Sequence, residues 1–184
     1  MRRVRWNVSA GAIALAALAY FFDGCGLVSA LAPAALAHEL GHVLALRLCA
    51  CRITRCSITL TGVELDYAPR LEGLRCALCL LAGPLAGALY AAAAFALSGT
   101  FWKMSGALSV LLSVFNMLPI LPLDGGRIAA ALLPERAARF VSGAMALCLL
   151  AGGAALAFYA SAWGLLCMAS WLFLCNLRLL SAAG

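Results

Sequence analysis

Six apolar runs, at roughly residues 8–22, 27–48, 74–97, 103–118, 138–159 and 163–180, decide what this chain can fold into. Several approach the ~20 residues that a helix needs to cross a bilayer. Polar or Gly/Pro breaks separate them: Asp23, Gly24 and Gly26 after the first, Ser98-Gly99 after the third, and residues 119–126 after the fourth. Of the 184 residues, 66% are hydrophobic and 11% charged. A soluble domain is about half apolar and about a quarter charged. The pattern predicts an all-α polytopic membrane protein, six transmembrane helices in a single domain spanning residues 1–184.

The charges test this layout. The formal net charge is +6, but the arginines sit at the ends of apolar runs, so topology explains them and nucleic acid is not expected as a partner. With the N-terminus cytosolic and six crossings, 13 basic residues are distributed so that all but Lys103 fall on or near the cytosolic side. That bias is the one expected of correctly oriented spans. Both termini are then cytosolic. The first run follows Arg2, Arg3 and Arg5 as a signal peptide would, but no convincing A-x-A cleavage site precedes the polar break at Asp23-Gly24 and many more spans follow, so it reads as a retained span.

The loop between the second and third runs carries its own pattern. Ser57, Ile58, Thr59, Leu60 and Thr61 alternate polar and apolar, Gly62 offers a turn, and residues 63–67 alternate again. This predicts a short β-hairpin between helices two and three. Two strands alone are marginal, so the hairpin is expected to lean on the helices. It serves either as a connector or as an edge that pairs with an extended substrate. Nine cysteines are present. Cys49, Cys51, Cys76 and Cys79 form a C-x-C and a C-x-x-C, readable as a second metal site or as small, reduced apolar residues. Gly83-x-x-x-Gly87 allows close helix approach.

Within the second run lies His38-Glu39-Leu40-Gly41-His42, which contains both histidines of the chain. Ionisable groups in hydrocarbon are costly and mark functional sites. Imidazoles at i and i+4 leave one helix face together and can grip one metal ion. Glu39 is placed to act as a base on water at that ion. A third protein ligand must then be a carboxylate, and there are seven. Asp23 lies on the opposite side of the bilayer; Glu64, Asp66 and Glu72 belong to the hairpin loop; Glu135 follows Pro134 in a polar patch. Asp124 differs, since Pro119 and Pro122 must break the helix before it and Gly125 and Gly126 permit sharp turns after it. Broken backbone at membrane depth is tolerated where it lines a cavity or is buried in protein. Asp124 is therefore the expected third ligand, with helix capping as its other reading. Asn116, just before the break, is read either as a donor to an oxyanion or substrate backbone, or as a brace for its own helix.

HELGH within an apolar run, AGPLAG at residues 82–87 and NMLPILPLDGG at residues 116–126 resemble the site-2 protease family of intramembrane zinc metalloproteases. The six-span layout is closest to the branch of stage IV sporulation protein FB. The resemblance implies Zn2+ held by His38, His42 and Asp124, Glu39 as catalytic base, and a membrane-associated protein substrate. In the sporulation branch that substrate is a sigma-factor pro-sequence. It also implies a bacterial cytoplasmic, mother-cell or forespore membrane, an active site toward the cytosol, and control by inhibitory membrane proteins. Two features depart from the family. No CBS or PDZ domain is expected beside the six runs, and Ala86-Gly87 stands where many relatives carry a polar residue. Two other classes use the same ligands: a metal transporter and a metal-binding, non-catalytic relative. Transport needs polar residues along a path, which runs one, five and six hardly offer, and the intact Glu39 favours catalysis over mere binding. A serine intramembrane protease lacks a further histidine to serve as its base.

Overall fold

The computed structural model describes residues 5–21, 23–59, 62–161 and 163–182. Arg2, Arg3, Phe22, Leu60 and Thr61, used in the sequence reading, lie outside the described residues. The chain divides into two compact units, Met1–Val114 and Phe115–Gly184.

In the first unit the elements are β1 (Arg5–Val8), α1 (Ala10–Phe21), α2 (Leu27–Leu48), β2 (Arg52–Thr59), β3 (Gly62–Ala68), α3 (Gly73–Ala96) and nearly all of α4 (Thr100–Asn116). The second holds α5 (Asp124–Leu132), α6 (Glu135–Ala160) and α7 (Trp163–Ala182). A helix stands at each of the six expected places. Three of them, α2, α3 and α6, are long and apolar enough to cross a membrane, which marks an integral membrane protein. At 12 and 17 residues, α1 and α4 are shorter than the ~20 residues of a full crossing. Six full-length crossings are therefore not what these helices show.

The expectation of helices plus one hairpin also needs amending. The predicted hairpin is present as antiparallel β2 and β3, paired Ser57 to Glu64, Ile58 to Val63 and Thr59 to Gly62. It begins earlier than the alternation suggested, at Arg52. A third strand, β1, pairs parallel to β2 from Arg5↔Arg55 to Val8↔Ile58. Four residues carry no readable period, and a parallel partner fifty positions away leaves no local trace. The helix α5, read from the sequence as one starting near Arg127, begins at Asp124 itself. The hairpin does lean on the helices: Leu46, Cys51 and Cys79 form a buried cluster against which Ile53, Leu65, Tyr67 and Leu71 pack.

Small residues determine how the helices of the first unit meet. The buried face of α2 carries Ala30, Ala34, His38 and Gly41, while Leu36, Leu40 and Leu44 are exposed on the other. Gly41 is needed for contact: a Cβ there would lie 2.4 Å from the Ala82 carbonyl oxygen of α3. The buried face of α4 is Ser105, Gly106, Ser109 and Ser113. Ser109 Oγ donates to the Gly87 carbonyl at 2.8 Å, Ser105 Oγ donates to the Ala30 carbonyl at 2.7 Å, and Tyr90 Oη lies 2.7 Å from Ser105 Oγ. Apolar side chains gain nothing by leaving lipid for one another, so close backbone approach and interhelical hydrogen bonds must supply the association. Of the glycine pair 83 and 87, Gly87 serves that packing, lying against Ser113 and Ser109.

The start of α2 is set by Asp23. Its carboxylate accepts the amides of Leu27 and Val28, both at 2.8 Å, while Gly26 adopts φ 72°. Desolvation alone would raise the Asp23 carboxyl, but the amide bonds from Val28, Leu27, Ser29 and Cys25 outweigh it and hold the group below its ordinary value.

Candidate metal centre

One helical turn brings the two histidines together. His38 is 4% exposed, and its Nε2 lies 3.3 Å from Nε2 of His42, with the rings edge-on at 79°. Two nitrogens each ~2.0–2.1 Å from one tetrahedral ion would stand about 3.3–3.4 Å apart. The spacing of this pair thus fits a shared metal ion.

His42 is oriented from α3. Its Nδ1 lies 3.0 Å from the carbonyl oxygen of Cys79. A carbonyl only accepts, so Nδ1 carries the proton and donates, which leaves the Nε2 lone pair facing His38. Partners of this kind on the far ring nitrogen commonly fix a metal-binding imidazole. The ring also needs room, and Gly83 gives it: a Cβ there would sit 2.1 Å from His42 Nε2. The sequence reading assigned Gly83 to helix packing; its neighbour is the imidazole itself.

Glu39 is half-buried on α2. Its charge reaches the sheet. Burial first, and then the Glu39 carboxylate, push the Cys56 thiol on β2 above its ordinary value. The sheet therefore lies within electrostatic range of the HELGH residues.

In the second unit, Asp124 opens α5 and is 8% exposed. The cap position belongs to Leu123, which makes no side-chain cap bond, so Asp124 is not the helix cap. Among the described side chains it is the buried carboxylate. The tight turn before it depends on both following glycines: a Cβ on Gly125 would lie 2.2 Å from the Met117 carbonyl oxygen, and one on Gly126 2.4 Å from the Ile120 carbonyl carbon. Asn116 is the last residue of α4 and is half-buried.

The turn is also held from below. Leu121 N–H donates to Ser142 Oγ on α6 at 2.8 Å, and Asn176 Nδ2 on α7 donates to the Leu121 carbonyl at 3.4 Å and to Ser142 Oγ. Ser142 and Asn176 are each 1% exposed. Neither was singled out from the sequence, although a buried asparagine in an apolar run is a recognisable signal. Ser142 and Asn176, the buried polar side chains of runs five and six among the described residues, both bond to this loop.

Residues 70–160 match the family model for Peptidase family M50. That stretch includes Gly83, Asn116 and Asp124 and stops short of the histidines. No curated protein matches the chain. Among solved structures, the fold is similar to that of the Site-2 Protease from Methanocaldococcus jannaschii, with a TM-score of 0.65 at 16% identity, covering 97% of this chain and 92% of that one.

Proposed function

We propose that this chain is an intramembrane zinc metalloprotease of the site-2 type, hydrolysing a peptide bond of a membrane-associated protein. His38, His42 and Asp124 are the metal ligands and Glu39 is the general base. The observation that carries this reading is the pair of Nε2 atoms 3.3 Å apart, with the tautomer of His42 set by Cys79. Burial of Asp124 on a broken backbone supports the third ligand, as does the M50 match across it. Two imidazole nitrogens and a carboxylate are a donor set that suits zinc.

Bound there, zinc supplies Lewis-acid polarisation and lowers the pKa of water. Glu39 takes a proton from the attacking water and returns it to the departing amine. Asn116 donates a hydrogen bond to the developing oxyanion or to the substrate backbone. A helical substrate hides its carbonyls in i→i−4 bonds, so its cleavage segment must unwind before attack. The active site faces the cytosol, as do both termini, and separate membrane proteins regulate it. The narrower assignment, processing of a sporulation sigma-factor pro-sequence, rests on the resemblance of the sequence motifs.

The test is co-expression with candidate membrane-tethered substrates, together with metal analysis of the purified protein. Glu39→Gln should retain zinc and abolish cleavage. Asp124→Ala should lose zinc. Cleavage by the Glu39→Gln variant would remove Glu39 as the base, and unchanged zinc in Asp124→Ala would remove that residue from the ligand set.

A further inference from the structure

The HELGH helix ends at a pair of thiols. Cys49, the residue that caps α2, is exposed. Its Sγ lies 3.5 Å from Sγ of Cys79, which is buried six residues after Gly73, the start of α3. All nine cysteines are free thiols. A disulfide has its sulfurs ~2.05 Å apart, so this pair needs an approach of about 1.5 Å to close. One neighbouring thiol is directed elsewhere. Cys51 Sγ donates toward the carbonyls of Cys49, at 3.8 Å, and Pro69, at 3.6 Å. Cys56 is buried on β2.

We infer that Cys49 and Cys79 are a site of reversible disulfide formation. The exposed member reacts first, because thiol–disulfide exchange requires access. With a small disulfide as oxidant, the Cys49 thiolate attacks one of its sulfurs, expels one thiol and leaves a mixed disulfide on Cys49. The Cys79 thiolate then attacks the Cys49 sulfur, the Cys49–Cys79 bond forms, and the second thiol departs. Two electrons pass to the oxidant, and the two protein thiol protons end on the two released thiols.

The bond would join the end of α2 to the second turn of α3, with β2 and β3 lying entirely between its two ends. It would form on the residue whose carbonyl orients His42. This inference stands apart from the proposed proteolysis, since it concerns covalent chemistry at two thiols outside the ligand set.

The experiment uses the full-length wild-type protein in detergent, treated with oxidised glutathione. Free thiols are then alkylated, and the protein is digested without reduction and mapped by mass spectrometry. A peptide pair joining Cys49 to Cys79, absent after dithiothreitol and absent in Cys49→Ser, is the expected result. Recovery of both cysteines as alkylated thiols would overturn the inference. So would Cys49 and Cys79 each joined to some other cysteine. Because the exposed Cys49 is the one replaced, the control variant keeps the buried α2–α3 contact intact.

Discussion

Gly83 lies so close to the His42 ring that any side chain at this position would occupy the place of Nε2, since its Cβ would fall 2.1 Å from that atom. A small residue on α3 thus determines where a ring on α2 can stand. Gly83→Ala should therefore displace the imidazole while leaving every proposed ligand in the sequence. Loss of an orienting contact commonly costs 10–100-fold in metal affinity, and misplacement by about 1 Å can cost ~10²-fold in rate. We expect zinc affinity at least ~10-fold weaker, read by competition with a chelating indicator. Affinity equal to wild type would show that His42 has another place to go.

The turn that carries Asp124 should be equally intolerant. Gly125→Ala places a Cβ 2.2 Å from the backbone oxygen of Met117, and backbone cannot swing aside as a side chain can. Overpacking typically costs 1–3 kcal/mol. Thermal unfolding in detergent should register a loss of that order, accompanied by reduced zinc content. A variant with unchanged stability and full zinc content would contradict the packing described for the turn.

Ser142 and Asn176 should act as one unit. Both contact the backbone of Leu121 and each other. Leaving a buried polar partner unsatisfied costs about 1–3 kcal/mol. Either alanine variant should lose stability of that order, and the double variant should lose less than the sum, with a coupling of at least ~0.5 kcal/mol. Strict additivity in a double-mutant cycle would mean that the two residues support the loop independently.

Acid should loosen the entry to α2. The folded-state pKa of Asp23 is depressed, so its contribution is present above the unfolded carboxylate value and is lost as pH falls through the folded one. Wild type should lose thermal stability across that acidic window. Asp23→Asn should be less stable at neutral pH and show a flatter acid dependence. Parallel pH profiles for the two proteins would count against the cap.

The residues of the proposed site were far more legible in the sequence than their supports. His38, Glu39, His42 and Asp124 are visible because charge and imidazole in an apolar chain are expensive, and expense implies purpose. Helix positions were visible for the same reason. What surrounds the site was harder to read. Nothing local distinguishes Gly83 as a seat for a ring from Gly87 as a packing contact, because both are glycines four residues apart on one helix face. The carbonyl of Cys79 has no side-chain signature at all. Asn176 could have been found, but alone it gives no clue that its partner is a turn 55 residues away. The parallel strand β1 was missed because pairing at long range depends on where the chain returns, not on the four residues themselves.

The order of the sheet, β1-β2-β3, limits how any visiting chain can dock. Both borders of the middle strand are already taken by this protein's own backbone. A guest polypeptide seeking main-chain pairing is left with the outer rims, and of these the seven residues of Gly62–Ala68 give a longer landing strip than the four of Arg5–Val8.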